Sequence, residues 1–522
     1  MIIVNKGITT MINFFKKKNK PTKQKDTKGI TKEPQKEIKS PKTTVDFLRE
    51  SNDFKVVEYK NKKTGITFQL TFVMSLIDEK IMQESAISYL LEENFSQIED
   101  LPHLLPISDM EITTDLSQLE PKLLNGYVLL TVENKMDKVC FFAAQKHVTR
   151  DITIPEIEFS VVGPKESFVE ALSENLNLVR KKLPIKELII EEFEVGQLSK
   201  TKVAVLYLEG ITNEEDVNTI KQRISDIEID AILDSSYIGQ IISDSTYSLI
   251  PQNLDTERPD RTIAGLIEGK VVVIVDGSPH ALLAPTTVIE FFSSFEDYFL
   301  NWLTSSFFRL LRVFAVVFSI LMTPIYVAIL TYHYELIPED LMGILYTSRT
   351  AIPFPPLLEA LFLELTIELL REAGARLPTK VGQTIGIVGG IVIGTASVEA
   401  GLTSNVLLIL IGLTALASFT TPIYRMNNTI RIYRYPFLLL AQLWGLLGIT
   451  FGVCLLVAEL LRTTSLGRPI LTPFYPLRVE DFKDSFIRLP FNRQSKRPYS
   501  LRSQNKKRFS KDKANEKKDV DE

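Results

Sequence analysis

Read between its charged residues, the C-terminal half of the chain contains four long apolar intervals: Val313 to Tyr332 (20 residues), Val381 to Val398 (18), Ala400 to Tyr424 (25) and Tyr435 to Ala458 (24). A helix needs about 20 apolar residues to cross roughly 30 Å of hydrocarbon, so each interval is long enough to span a bilayer. The buried helices of a soluble core seldom produce four such intervals in succession. The pattern predicts a helical, polytopic membrane domain over residues 301–476, with four to five spans. Among them lies IPFPPLLEALFLELTIELLREAGAR, Ile352 to Arg376. Pro355 and Pro356 suit a helix start and Gly374 suits its C-cap, while Glu364, Glu368, Arg371 and Glu372 share one face at helical spacing. The result is an amphipathic helix over 353–374. A charge at the bilayer centre costs about 2.5–3.5 kcal/mol, so its polar face should meet protein, water or headgroups.

From Thr44 to about Pro285 the periodicity changes. Phe168, Leu172, Leu176, Val179 and Leu183 form a helical stripe, and Val203 to Leu208 reads as a buried strand. Asn213 to Ile227 reads as a capped amphipathic helix. Val271 to Val275 and His280 to Ala284, joined by Asp276-Gly277-Ser278-Pro279, read as a hairpin. The expectation is an α/β N-terminal region in two subdomains, 45–160 and 161–300, with a break near 145–165.

Charge is segregated along the 522 residues. Residues 1–44 carry twelve Lys and three acids, residues 477–522 carry fourteen Lys and Arg and eight acids, and the whole chain is at −4. The middle is therefore at −19, which argues against a nucleic-acid partner. Residues 1–44, poor in large apolar side chains, read as a disordered basic tether attracted to the anionic lipids of the inner leaflet. Residues 477–522 read as a basic cytoplasmic tail. Apolar stretches before Lys16 precede the charge rather than follow it, the reverse of a signal peptide, so the N-terminal half is expected in the cytoplasm. Arg309 and Arg312 fix the near end of the first span inside. Arg425, Arg431 and Arg434 read as a second cytoplasmic loop, and an odd number of spans would then separate the N-terminal region from the tail.

The search for chemistry finds no enzyme. Gly265-Leu-Ile-Glu-Gly269-Lys270 has too few residues between its glycines for a phosphate loop, and Val271 stands where Ser or Thr is needed. His103, His147, His280 and His333 lack metal-ligand spacing, and Cys140 and Cys454 are too far apart to read as a pair. No cofactor and no metal are expected.

The span after Lys380, VGQTIGIVGGIVIGTASVEAG, carries the candidate mechanism. Gly382, Gly386, Gly390 and Gly394 recur every four residues and form a strip on which neighbouring helices can approach closely. Thr384, Val388, Val392, Thr395 and Glu399 fall on the opposite side of the helical wheel. Repeated around an axis, such a helix makes a narrow path with a hydrophobic constriction at Val388 and Val392, and a ring of Glu399 at its mouth favours cations.

Eight stretches now line up with one family. GPKESFVEAL, SKTKVAVLYLEGI, TERPDR, EGKVVVIVDGSP, IPFPPLLEAL, LREAGARLP, VGQTIGIVGGIVIG and RYPFLLLAQLWGLLG, in this order from Gly163 onward, resemble the A subunit of spore germinant receptors, the GerA family. Ser278 stands in the DGSP turn where many relatives have Thr. The resemblance implies a non-enzymatic, multi-pass protein of the spore inner membrane with its N-terminal region on the core side. It implies partnership with a transporter-like, germinant-binding B subunit and a lipoprotein C subunit, and a homo-oligomer that conducts monovalent cations when germinant binds. It places the conduction path on the glycine-rich span, with Val388, Val392 and Glu399 facing the pore. A close paralogue, the stage V sporulation protein AF type, shares most of these stretches and is associated with amplifying ion release. A secondary transporter is the alternative from another class, although no internal repeat supports it.

Overall fold

The computed structural model describes residues 50–510 apart from 108, 134–136, 147–154, 156, 157 and 378, and for 379–388 it gives the helix without the side chains. The expected tether over 1–44, His147 and the last twelve residues of the basic tail lie outside the described residues.

Two five-stranded sheets make up the N-terminal region. The first joins β1 (Phe54–Lys60), β2 (Thr67–Val73), β3 (Met110–Thr113), β4 (Tyr127–Val132) and β5 (Val139–Ala143) in the order β1-β2-β4-β5-β3. Its period-2 alternation buries both faces: Phe68, Leu70, Val128, Leu130, Cys140 and Phe142 pack on one side, and Leu129, Val139 and Phe141 on the other. The second sheet orders β6 (Leu188–Val195), β7 (Thr201–Leu208), β8 (Leu254–Thr256), β9 (Val271–Val275) and β10 (Ala281–Ala284) as β6-β7-β9-β10-β8. One face carries α1 (Leu172–Lys182) and α3 (Pro259–Glu268), and the other carries α2 (Glu214–Ser225) through Val217, Ile220 and Ile224. Every pairing between these strands is antiparallel, so helices and strands mix as expected but without the parallel crossovers of a doubly wound sheet.

Local signals shaped the second sheet as read. Asn213 caps α2 by accepting from Glu215 N at 2.8 Å. The hairpin pairs Val271 with Ala284 and Ile274 with Ala281. Gly269 ends α3 in the left-handed region, so the Gly265–Lys270 stretch is a helix terminus and not a phosphate loop.

One buried ion pair ties the sheets together. Asp53, just before β1, accepts from Arg180 of α1 at 2.9 and 3.0 Å and from Ser75 at 2.8 Å, and both partners of the pair are almost fully buried. Burial pushes the Asp53 carboxyl up, but the Arg180 charge and the hydrogen bonds from Arg180, Ser51 and Ser75 outweigh it and hold it below the usual range.

The C-terminal half is helical: α4 (Trp302–Tyr332), α5 (Glu339–Arg349), α6 (Pro356–Arg376), α7 (Thr379–Glu399), α8 (Asn405–Ser418) and α9 (Tyr424–Arg462). Three expectations change. Gly374 does not cap α6, which continues to Arg376 and ends at the extended Leu377. The interval 400–424 yields only the 14-residue α8, about 21 Å long at 1.5 Å per residue, because Gly401 turns left-handed and Ser404 starts a new helix by accepting from Leu407 N. The interval 435–458 is not one straight crossing. Gly445 leaves the helical region of backbone space at φ 61°, and α9 doubles back there, so that Tyr433 bonds Glu459 across the hairpin. A Cβ at Gly452 would lie 2.8 Å from the Phe437 ring, a closeness that only glycine permits.

Contacts fix the directions. Tyr332 at the far end of α4 donates to Gln442 O at 2.8 Å beside the Gly445 turn, so the first leg of α9 runs parallel to α4. Glu364 meets Arg434 and Glu368 meets Arg431, so α6 runs against that leg. The Gly389 backbone lies against Leu370 and Gly401 against Ala351, so α7 runs against α6. Tyr326 meets Ser404 and Arg371 meets Ser418, which returns α8 alongside α6. Leaving aside the short α5, the legs α4, α6, α7, α8 and the two of α9 thus alternate in direction, and the first begins on the side where the last ends.

At that side the chain after α9 folds back onto the second sheet: Thr464 and the Gly467 N–H bond Asp244, Arg468 pairs with Asp216, and Arg508 pairs with Glu268. The segment read as a basic tail is held against the second sheet as far as Arg508.

Asp53→Asn leaves the buried Arg180 unpaired and is expected to destabilise the two-sheet region by about 3–5 kcal/mol, read as protease sensitivity of the full chain across a denaturant series. In the wild type this stabilisation is present above the unfolded carboxyl pKa of about 4 and is lost as pH falls through the lower native value, a dependence that Asp53→Asn should remove.

Candidate functional site

The polar face of α6 is the organising feature of the helical region. Glu364, 4% exposed, pairs with Arg434 and accepts from Thr323 at 3.1 Å. Arg434 in turn donates to Ser319 O at 3.0 Å, Ser319 Oγ at 2.7 Å and Thr414 O at 3.4 Å. One guanidinium therefore joins α4, α6, α8 and the first leg of α9. Glu368 pairs with Arg431, and Arg371 lies 4.5 Å from the Phe419 ring. Glu359, fully buried, pairs with Arg349 of α5 at 2.8 Å. Glu372 turns away to the exposed Arg376. The polar face meets protein, as its charge demands.

Arg431 and Arg434 were read as loop charges. Their three-residue spacing places them on one helical face, opposite carboxylates four residues apart on α6, and this matched spacing is the signal that could have found them.

On α7, Val392 is 56% exposed and Thr395 and Glu399 are exposed. Val392 and Glu399 lie seven residues apart, within about 20° on the helical wheel. Thr395 Oγ donates to Ile391 O at 2.8 Å and keeps no strong demand for an outside partner. The glycines face unevenly: a Cβ at Gly389 would sit 2.9 Å from Leu370 and one at Gly394 would sit 3.6 Å from Leu408, whereas Gly390 has open space. The side chain of Val388 and the surroundings of Gly382 and Gly386 lie outside the described residues.

Among the described residues, two helical stretches pass the length and hydropathy of a membrane span, Trp302–Tyr332 and Tyr424–Arg462, the second of them bent back at Gly445. Among the described residues, no three His, Cys, Asp or Glu gather to hold a metal. His103 ends a short helix, His280 lies 3.8 Å from Asp255, and His333 accepts from Leu446 N.

A family model described as the Bacillus/Clostridium GerA spore germination protein matches residues 42–500, which includes both sheets and all the helices. The chain belongs to the GerA spore germination family. Spore germination protein GerQA of Bacillus cereus is 51% identical over 92% of this chain and 96% of its own length. Spore germination protein GerIA of the same organism is 44% identical over 92% of this chain and 72% of its own. Among solved structures, the N-terminal domain of the A subunit of the Bacillus megaterium spore germinant receptor GerK3 aligns over 47% of this chain and 92% of its own, at 25% identity and a TM-score of 0.34. GerA membership makes spore germination the context for the geometry above.

If Arg434 and Glu364 hold the helices together, each single change, Glu364→Leu or Arg434→Leu, leaves an unpaired buried charge and should cost about 3–5 kcal/mol, while the double change should recover most of that loss. The thermal midpoint of the detergent-solubilised chain, followed by size-exclusion recovery, measures it.

Proposed function

We propose that this chain is the A subunit of a spore germinant receptor that spans the spore inner membrane several times and, as a homo-oligomer, forms or contributes to a monovalent-cation channel. A transporter-like B subunit that binds the germinant and a lipoprotein C subunit are its partners in this reading. GerA membership supports the receptor role. The alternating helices support a multi-pass arrangement whose near side carries Arg309 and Arg312 in the cytoplasm. Exposed Phe307, Leu310, Leu311 and Phe314 on α4, and Leu439, Leu443 and Leu447 on α9, suit contact with lipid.

One observation carries the channel: Val392, Thr395 and Glu399 look out of the single chain. They can line a path only between copies. In a closed ring the valines give a dry constriction that gates by dewetting, and the Glu399 carboxylates at its mouth raise the local cation concentration. Germinant binding would act by changing how neighbouring α7 helices pack, and the glycines let these helices slide without side-chain interlock.

Potassium flux from liposomes containing the A, B and C subunits tests this. Val388→Ala and Val392→Ala should raise flux without germinant, and Glu399→Gln should lower the preference for potassium over chloride. Wild-type flux and selectivity in all three variants, with oligomers present, would move the path away from α7.

A further inference from the structure

A cavity of about 550 Å³ lies where the second sheet, the start of α4 and the returning C-terminal segment meet. That volume is within the range of small-molecule sites, about 300–1,000 Å³. Its floor is one face of α3, on which Arg261, Ala264, Gly265 and Glu268 follow at helical spacing. The two smallest residues stand at the middle of that face: Ala264 leaves room above it, and Gly265 admits the Leu283 side chain, which a Cβ there would meet at 2.5 Å. Phe295, Tyr298 and Phe299 form one wall, Leu283 and Ile289 another, and Leu501 with Pro473 closes it from the C-terminal segment.

Most of its charges are paired. Lys270 pairs with Glu290, Arg508 with Glu268, and Asp484 with Arg309 and the Tyr298 hydroxyl. Asp481 accepts the backbone N–H groups of Tyr499 and Ser500, and Arg261 is held by Glu158. Asp481 is the one carboxylate among them without a cationic partner, and those two N–H groups already hold it. One donor is left over: the Nε–H of Arg508 is buried without a hydrogen-bond partner. Buried donors of this kind are rare and mark a place where an acceptor belongs. The open side is rimmed by Phe299 and Phe491, 40% and 59% exposed.

We infer that this cavity binds a small, mostly apolar molecule carrying one hydrogen-bond acceptor, its apolar part against the aromatic wall and the α3 floor and its acceptor at Arg508 Nε. The apolar lining supplies the burial, and the single donor supplies the orientation. Such chemistry can arrive as a free amphiphile or as an acyl chain from the adjacent leaflet, for the exposed Trp302 and Leu303 begin α4 beside the rim. The occupant would touch the second sheet, the entry into α4 and the chain that leaves α9 at once, so its presence or absence sets how firmly the two halves are joined. This inference is independent of the channel reading.

Photolabelling of the full chain in phospholipid nanodiscs tests it in two arms: free decanoic acid bearing a diazirine, and a phospholipid with a diazirine in one acyl chain. Label is expected in the peptides spanning 261–268, 289–299 and 491–508, with excess unlabelled decanoic acid displacing it. Labelling of these peptides in the free-acid arm identifies a solute site, and labelling in the lipid arm alone identifies an acyl-chain site. Ala264→Phe, which fills the floor, and Leu501→Trp, which fills the roof, should each cut that labelling about tenfold, equivalent to about 1.4 kcal/mol of lost affinity. Circular dichroism checks that each variant is folded. If these peptides stay unlabelled in both arms, or if excess acid leaves the wild-type label in place, the cavity is not a binding site.

Discussion

The arrangement depends on one buried carboxylate, Asp297, at the junction of the two halves. It is fully buried, and it receives Arg309 at 3.2 Å and Arg312 at 2.7 and 2.8 Å from the base of α4. Its carbonyl accepts from Ser305 and, at 2.8 Å, from Arg488 of the C-terminal segment. Arg309 also holds Asp484. An unpaired charge at such a site costs several kcal/mol, so Asp297 holds the base of α4 through both arginines, and the C-terminal segment joins them through Asp484 and Arg488. The turn before α4, the base of α4 and the returning chain are therefore tied together at one point.

Within the helical region the same rule operates on a second charge set. The α6 helix carries carboxylates through a zone of apolar neighbours, and the guanidiniums of α9 meet them at matching height. The hairpin at Gly445 then lets α9 return, so the chain delivers its C-terminal segment back to Asp297. Charge thus links the N-terminal region to the helices at their base, while the described part of α7 meets its neighbours through Gly389 and Gly394.

How much of this the sequence disclosed depends on the range of the interactions. Short-range signals were legible: the Asn213 cap, the 271–284 hairpin, the apolar run of β7, the start of α6 at Pro355 and Pro356. Long-range ones were not. Asp53 and Arg180 are 127 positions apart, and nothing local in either announces the pair. Strand order in both sheets follows from pairings of this kind. Charges had been used as span boundaries, which hid Arg434 inside a helix, and Gly445 reads as one more packing glycine until its backbone angles are seen. Val392, Thr395 and Glu399 could be grouped from helical geometry alone, because they lie on one helix and need no distant partner.

The central claim is that the N-terminal sheets and the C-terminal segment share one side of a membrane that the helices cross and recross. In a chain with Cys140 and Cys454 replaced by Ser, single cysteines at three exposed positions test it: Lys200→Cys in the second sheet, Tyr334→Cys beyond α4 and Asn505→Cys in the C-terminal segment. A membrane-impermeant thiol reagent is applied to sealed vesicles of each orientation. The account predicts that positions 200 and 505 react from the cytoplasmic face only and position 334 from the opposite face only. Reaction of 505 from the same face as 334, or of all three from one face, would contradict it.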